Sequence, residues 1–226
     1  MCVIIHKPKN IDISQDILKK CWKANPHGVG FMYVTPGGFL HIEKGLMTLD
    51  SFIKKYVEHE CIKKEVVIHF RLASAGVITP EQTHPFWVFK DQVAFVHNGH
   101  MEDYYDVFGK GPMQSDTMNF NEQILKKLPQ NFLENQAIVK LLSNYLGSSI
   151  MVFMDNLGKV KIIGNNSVSF FHQNCWFSND YWMDDKEWEE KELQAEKELG
   201  ESSSASSDDF DADLYGNAPI YDDLKY

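Results

Sequence analysis

Apolar positions recur along most of the chain at strand or helix spacing, and they predict a regular series of elements. Residues 2–6 (CVIIH) are a β-branched apolar run typical of a buried strand. Residues 11–23 carry apolar side chains at helical spacing behind a capping candidate, Asp12 or Ser14. The further predicted elements are a hairpin of VGFMYV and FLHIEKG about the turn TPGG, a helix beginning at Thr48 or Asp50, strands at 65–74 and 91–99, helices at about 117–128 and 134–146, a hairpin turning at 156–158, and a last strand in VSFFHQNCWFSND.

The strand predicted at residues 65–74 (EVVIHFRLAS) has two faces of different composition. Successive side chains of a strand point to opposite sides, so one face carries Val67, His69, Arg71 and Ala73, and the other carries Val66, Ile68 and Phe70. Most of the predicted strands are joined by hairpins, and pairs of helices lie between groups of strands. This order favours antiparallel sheets covered by helices, an α+β fold, over a parallel βαβ repeat.

The acidic charge of the chain lies at its C-terminal end. Residues 184–226 hold fifteen Asp or Glu and four Lys, which account for the whole formal net charge of −10. We predict a folded domain at residues 2–183, a solvated acidic helix at 184–200 and a disordered acidic tail at 201–226. The tail is either a solubilising segment or, since it carries four aromatic residues, a docking element for a partner protein.

The composition is that of an ordinary globular protein, with 43% hydrophobic and 24% charged residues in a chain of 226. The main body is close to neutral and shows no basic stripe, so we expect no direct binding to nucleic acid. No apolar stretch reaches the roughly 18 residues of a membrane span, and the opening MCVIIHKPKN is interrupted by charge before a signal-peptide core forms. We therefore expect a cytoplasmic protein with no membrane partner. Its four scattered cysteines include no CxxC pair and are expected to be reduced thiols.

Cys2 is the first candidate for chemistry. A methionine before a residue as small as cysteine is normally trimmed, and we expect this trimming to leave Cys2 at the N-terminus. Its thiol would then lie beside a free α-amine, whose unperturbed pKa of about 7.7–8.0 allows it to accept the thiol proton near neutrality. The alternative is a cysteine buried as a small hydrophobic residue of the first strand.

Five short motifs follow Cys2 along the chain: NPHGVGF (25–31), HFRLASAG (69–76), THPF (83–86), FVHNGHM (95–101) and SDT (115–117). In this order and at these spacings, residues 2 to about 183 resemble the glutaminase domain of class II glutamine amidotransferases, whose nucleophile is an N-terminal cysteine. The HNG motif alone is weak, whereas its combination with Cys2 and the other motifs is specific. The resemblance implies an Ntn-hydrolase αββα sandwich of four layers, with two antiparallel sheets face to face and helices outside.

Asn98 and Gly99 are the candidate oxyanion hole. Attack of a thiolate on a carboxamide creates a tetrahedral oxyanion, and the loss of one donor from such a hole typically costs about 2.7–4 kcal/mol of barrier. The Asn98 side chain offers an NH₂ donor, and Gly99 can bring its backbone N–H close to a substrate. Without that chemistry, the same pair is an ordinary Asn-Gly turn after a strand.

Two charged residues match the family's contacts with the amino-acid end of glutamine. Arg71 is the only arginine of the chain and lies at the end of an apolar strand, so its guanidinium needs an anion. The resemblance implies that this anion is the substrate α-carboxylate, and an internal acid is the alternative. By the same resemblance Asp116 holds the α-ammonium group, unless Asp116 or Ser115 simply caps the helix that follows.

His84 in THPF and Ser74 also match positions that the family places near its substrate. The family often has TRWATHG where this chain has FRLASAG, so Leu72 stands in place of a tryptophan and Ala75 in place of a histidine. The nucleophile, the oxyanion donors and the carboxylate clamp are all kept. The two departures leave open another γ-glutamyl compound as the substrate.

The histidines of this region do not have the spacing of a metal site. His97 and His100 are three residues apart, but HNGH is a turn, and the chain has neither an HExxH motif nor a cysteine pair. We predict no metal site and no cofactor.

The sequence thus predicts an enzyme that releases ammonia from the side-chain amide of glutamine through a γ-glutamyl thioester on Cys2. Glutamine is the expected small-molecule substrate. We expect no synthetase domain in this chain. Either a separate ammonia-accepting synthetase or other protein docks on the acidic tail, or the chain simply hydrolyses an amide. The alternatives are a non-catalytic Ntn-fold binding or scaffold protein and a hydrolase of another γ-glutamyl amide.

Overall fold

A computed structural model of the chain describes residues 1–74, 76–104, 114–186, 188–189 and 192–193. Among the described residues up to 183, the chain forms ten strands and four α-helices. In chain order they are β1 (Val3–Lys7), α1 (Gln15–Ala24), β2 (Val29–Val34), β3 (Leu40–Leu46), α2 (Leu49–Glu58), β4 (Val66–Phe70), β5 (Phe86–Phe89), β6 (Val93–Asn98), α3 (Asp116–Gln123), α4 (Gln136–Leu146), β7 (Ile150–Asp155), β8 (Val160–Gly164), β9 (Phe170–His172) and β10 (Cys175–Phe177). Short 3₁₀ turns occur at Cys61–Lys63, Pro80–Gln82, Glu102–Tyr104 and Leu125–Lys127.

Side-chain caps determine where the helices begin. Ser14, not Asp12, caps α1 by accepting the N–H of Ile17. Thr48 caps α2 in a reciprocal capping box with Ser51, in which each side chain accepts the backbone N–H of the other residue. These bonds satisfy N–H groups that the first turn of a helix leaves without an intrahelical partner.

The strands form two antiparallel sheets. Six strands pair in the order β3-β2-β4-β1-β10-β9, and four pair in the order β5-β6-β7-β8. In the larger sheet β1 lies between β4 and β10, with Val3 opposite Phe70 and Ile5 opposite Phe177. The start of the chain is therefore in the middle of a sheet, flanked on both sides by hydrogen-bonded neighbours.

Three apolar cores separate four layers. The first lies between the six-stranded sheet and helices α1 and α2, where Ile68 and Phe70 pack with Phe52. The second lies between the two sheets and contains Val67. The third lies between the four-stranded sheet and helices α3 and α4, with Phe120 among its members. The predicted α+β fold, an αββα sandwich of two antiparallel sheets, is confirmed, and so are the two faces predicted for β4.

The predicted strand at 65–74 ends earlier than the apolar pattern suggested, because the following N–H groups bond elsewhere. The N–H of Leu72 donates to the sulphur of Cys2, and the N–H of Ala73 donates to the ring of His27. The polypeptide leaves the ladder at this point and forms an irregular segment beside the start of β1. Strand β5, at the edge of the smaller sheet, was not predicted.

The C-terminal segment is described only in part. Residues 185, 186, 188, 189, 192 and 193 of the predicted acidic helix are helical, and Asp184 forms an ion pair with Lys20 of α1 at 2.9 Å. The predicted tail at 201–226 lies outside the described residues, so the three-part division of the chain stays a prediction. Among the described residues, no helix combines the length and apolar character needed to cross a membrane.

Candidate active site

Cys2 lies immediately before β1, at the end of the sheet where β4 also ends. The N–H of Leu72 donates to its Sγ at 3.3 Å, and the thiol lies 3.5 Å from the Leu72 carbonyl oxygen. On the main chain, the Cys2 carbonyl accepts a hydrogen bond from Asn179 Nδ2 at 2.7 Å. Cys2 is therefore held on both its side chain and its backbone, although the residue is partly exposed.

The surroundings of the Cys2 thiol act on its pKa in opposite directions. Enclosure of the sulphur by protein raises the pKa above its ordinary value, and Asp116 adds to this effect. The Leu72 N–H, the N-terminal ammonium group and the Arg71 guanidinium lower it. The net effect is upward, so the thiol is protonated at neutral pH and needs a base before it can attack.

Arg71 follows the last residue of β4 and is 3% exposed. Its backbone is fixed by bonds to Gly28 and His27, and its guanidinium donates to the carbonyl of Val77 at 3.0 Å. Burial lowers the pKa of Arg71, while the nearby Cys2 and Asp116 raise it. A guanidinium stays protonated in proteins, so a fixed positive charge lies close to Cys2.

Asp116 is the first residue of α3, and its carboxylate is buried. Ser115 is the helix cap, since its hydroxyl accepts the N–H of Met118. The carboxylate of Asp116 instead accepts the backbone N–H of Met101 at 2.8 Å and that of Thr117 at 2.7 Å. The structure thus assigns the capping role to Ser115 and ties Asp116 to the segment that follows β6.

Asn98 and Gly99 lie at the end of β6, where the chain turns away from the smaller sheet. Gly99 has a φ of +145°, and a Cβ added there would lie 2.0 Å from the Oγ of Ser149. Both the backbone conformation and the lack of space therefore require glycine. Asn98 is 5% exposed; its Nδ2 donates to Ser178 Oγ at 3.0 Å, and its Oδ1 is buried without a hydrogen-bond partner in the described part of the chain.

Ser178 and Asn179, just beyond β10, connect the predicted site residues and were missed by the sequence analysis. Ser178 Oγ accepts the backbone N–H of Ile4 at 2.9 Å as well as the Asn98 amide, so it joins β1 of one sheet to β6 of the other. Asn179 holds the carbonyl of Cys2. Both residues are fully buried. The only local signal was a polar pair directly after a buried apolar strand.

Ser74 lies on the exposed segment that follows Arg71. Its hydroxyl is 3.2 Å from Nδ1 of His100, which follows the Asn98-Gly99 turn. The two loops that leave β4 and β6 therefore meet at Ser74 and His100. The predicted contact of Ser74 with a substrate stays a prediction, and the neighbouring Ala75 lies outside the described residues.

His84 is buried between the sheets and packs on other rings. Its ring centroid lies 4.1 Å from that of His69 and 4.7 Å from that of Phe86, and neither of its ring nitrogens has a hydrogen-bond partner among the described residues. Burial lowers the pKa of His84 well below its ordinary value and that of His69 to about 3. Both imidazoles are neutral at pH 7. The predicted place of His84 beside the substrate stays a prediction.

The structure thus brings together Cys2, Arg71, Asn98 and Asp116. Cys2 and Arg71 are neighbours through Leu72, and Cys2 and Asn98 are linked through the buried Ser178-Asn179 pair. A thiol, a fixed cation, a carboxylate and an amide donor in one place suit nucleophilic attack on a zwitterionic amino-acid substrate.

Comparisons with known proteins bear on the family and the fold of the chain. The family model described as glutamine amidotransferases class-II matches residues 10–164, which is more than half of the chain. A search of curated proteins finds no significant match.

Two solved structures resemble the fold. The allosteric regulatory enzyme of purine biosynthesis matches with a TM-score of 0.51 and 18% identity over 78% of this chain. The glutamine phosphoribosylpyrophosphate amidotransferase from B. subtilis, complexed with ADP and GMP, matches with a TM-score of 0.48 and 18% identity over 78% of this chain. This chain spans 41% of the length of each. At this identity, the likeness to the first shows a shared fold.

Proposed function

The chain belongs to the class II glutamine amidotransferase family, and from that premise we propose that it releases ammonia from the side-chain amide of glutamine through a γ-glutamyl thioester on Cys2. The observation that carries the proposal is the joining of Cys2 to Asn98 through two fully buried side chains, Ser178 and Asn179. This linkage supports a nucleophile and an oxyanion donor that act on one carbonyl group.

We propose that Arg71 and Asp116 hold the amino-acid end of the substrate. A guanidinium matches the planar α-carboxylate of glutamine, and the bond of Arg71 to Val77 limits where the guanidinium can lie. Each oxygen of a carboxylate has about two acceptor positions. The backbone N–H of Met101 takes one position on Oδ2 of Asp116, which leaves room for an α-ammonium donor there.

The base in this proposal is the α-amine of Cys2 after removal of Met1. Met1 is 48% exposed, which supports access to its peptide bond. The freed amine accepts the thiol proton, and the thiolate attacks the amide carbon and forms a tetrahedral oxyanion. The C–N bond of the amide then breaks, and the α-ammonium group of Cys2 returns its proton to the leaving nitrogen, which departs as ammonia. Water hydrolyses the remaining thioester to glutamate and regenerates the thiol.

In the proposed mechanism the side-chain amide of Asn98 is flipped, so that its Oδ1 and Nδ2 exchange the positions they have in the structure. An asparagine amide can rotate by about 180° with little change in shape, because its oxygen and nitrogen are nearly equal in size and hydrogen bonds decide the orientation. If the two atoms exchange places, the Ser178 hydroxyl donates to Oδ1 and still accepts the N–H of Ile4. The Nδ2 donor then occupies the position of the buried, unpartnered oxygen and can donate to the oxyanion together with the Gly99 N–H.

The direct test measures ammonia and glutamate released from glutamine by the native-start protein and by Cys2→Ala. We expect turnover by the first and none by the second, with an intact mass that shows loss of Met1. Residues added before Cys2 should abolish turnover, because they convert the amine into an amide that cannot accept a proton. Equal turnover from an uncleavable N-terminal fusion would refute the mechanism.

Two further experiments separate the alternatives. A glutamine-analogue electrophile should label Cys2, whereas a non-catalytic scaffold would leave it unlabelled. If other γ-glutamyl amides are hydrolysed with a higher kcat/KM than glutamine, glutamine is not the preferred substrate. A partner that consumes ammonia remains part of the proposal, and deletion of residues 201–226 should weaken its co-purification while glutamine hydrolysis is kept.

A further inference from the structure

Three side chains form a cluster outside the candidate active site. His41 and Glu43 alternate along β3, so they share one face of the sheet, and His59 follows the last residue of α2. One ligand atom from each residue, an imidazole nitrogen or a carboxylate oxygen, lies within 4.8 Å of the other two. All three residues are half-buried.

The spacing of these atoms fits a metal ion. Nε2 of His59 is 3.2 Å from Oε2 of Glu43, and Nε2 of His41 is 3.8 Å from the same oxygen. Two ligands at about 2.1 Å from a tetrahedral zinc ion lie roughly 3.4 Å apart. Two of the three separations are close to this value, and the third is at most 4.8 Å.

We propose that His41, Glu43 and His59 bind a divalent transition-metal ion, with zinc as the best match to two imidazoles and one carboxylate. Three protein ligands leave the fourth tetrahedral position to water. The sequence gives no local signal for this site, because its residues come from a strand and a helix end that meet only in the folded chain.

The neighbours of the cluster support the assignment. Tyr33 Oη is 2.7 Å from Nδ1 of His59, a contact of the kind that orients a ligating imidazole with its other nitrogen toward the metal. Nε2 of His41 is buried and has no hydrogen-bond partner among the described residues. The positive charge of nearby Lys64 repels a metal ion. Its ammonium group, however, donates to the His59 carbonyl and lies over the Tyr33 ring.

The cluster lies at the other end of the sheet from Cys2. In the ladder of β2, Val29 pairs with Phe70 of β4 near the active site, while Tyr33 pairs with His41. Four residues of strand separate the two positions, about 13 Å at 3.3 Å per residue. The bound ion would tie the edge strand β3 to the end of α2, which stabilises the fold without touching the substrate site.

The test measures zinc binding to the full chain with Cys2→Ala, because this background removes the thiol of the active site as a competing ligand. After treatment with a chelator, calorimetric titration with zinc chloride should show one ion per chain. The thermal unfolding temperature should rise with zinc concentration, since an ion that binds only the folded protein stabilises it. Cobalt substitution should give the visible absorption of a tetrahedral site.

Variants show whether the proposed ligands bind the ion. His41→Gln, Glu43→Gln and His59→Gln should each weaken zinc binding at least about tenfold, and Tyr33→Phe should weaken it about tenfold through the orientation of His59. The matched control is Glu65→Gln, whose carboxylate also contacts a histidine at 2.7 Å but does not belong to a described group of three ligands.

Each outcome decides the proposal. Zinc affinity that falls in the cluster variants and stays unchanged in Glu65→Gln supports the site. No binding at about 100 μM free zinc, or equal affinity in all folded variants, overturns it. Because the measurement is metal binding in a protein without its nucleophile, the result does not depend on whether the proposed glutamine chemistry is correct.

Discussion

Ser178→Ala should damage catalysis through a residue that does not touch the substrate. The Ser178 hydroxyl accepts the N–H of Ile4 at 2.9 Å and the amide of Asn98 at 3.0 Å in a fully buried position. Alanine leaves the Ile4 N–H buried without a partner, which costs about 1–3 kcal/mol of unfolding free energy. It also removes the group that orients Asn98.

The catalytic magnitude follows from the role of Asn98 in the proposed mechanism. Complete loss of one oxyanion donor costs about 2.7–4 kcal/mol, or 10²–10³ in kcat. Ser178→Ala keeps the donor but lets it rotate, so we expect kcat for glutamine hydrolysis to fall about 10- to 100-fold with little change in KM. The assay is steady-state ammonia release, with urea unfolding to confirm that each variant is folded.

A double-mutant cycle separates this role from general destabilisation. If Ser178 acts through Asn98, then Ser178→Ala should cost much less in an Asn98→Ala background than in the parent protein. Ser169→Ala is a matched control, because its hydroxyl bonds to a loop carbonyl outside the site. Unchanged kcat in folded Ser178→Ala, or an equal loss in both backgrounds, would show that the reasoning is wrong.

Three further predictions address backbone strain, substrate binding and pH. Gly99→Ala should lower both stability and activity, since the added Cβ would lie 2.0 Å from Ser149 Oγ and the φ of residue 99 is +145°. Urea unfolding of this variant and of a double variant with Ser149→Gly measures the effect. Equal stability of Gly99→Ala and the parent protein would contradict it. Arg71→Lys should raise the KM for glutamine about 10- to 100-fold, because an ammonium cannot bind a carboxylate as a planar fork; an unchanged KM would remove Arg71 from the site. Stability should fall as the pH drops below about 6.5, because the unfolded chain then protonates histidines whose folded pKa is about 3 for His69 and about 4 for His97. The free energy of unfolding falls by at most about 1.4 kcal/mol per pH unit for each histidine. A His97→Gln variant should lose less of this free energy than the parent protein when unfolding is measured at pH 7 and at about pH 5.

Local patterns were sufficient for most of the elements. The alternation in β4 correctly assigned its two faces, because a strand exposes successive side chains to opposite sides whatever its partners are. The pattern did not locate the end of that strand. The ladder ends after Phe70 because later N–H groups bond to Cys2 and His27, which are far away in sequence.

In the candidate site, too, local patterns predicted some features and long-range contacts decided the others. Cys2, Arg71 and Asn98 were proposed as site residues from their motifs, since a thiol, a guanidinium and an Asn-Gly turn each carry their chemistry in the residue type. Whether Ser115 or Asp116 capped α3 could not be decided from the sequence, because both lie within reach of the first turn. The contact of Asp116 with Met101 settles this question, and it depends on how α3 packs beside the turn after β6.

The sequence by itself predicted most of the elements in their order, the α+β class and a set of candidate site residues, because these depend on side-chain type and on short-range periodicity. Only the tertiary structure decided that Ser178 and Asn179 hold Cys2 and Asn98 in place, and that His41, Glu43 and His59 meet. Such contacts join distant parts of the chain across two packed sheets, or a strand to the end of a helix. No local pattern encodes them, since they exist only once the layers have packed.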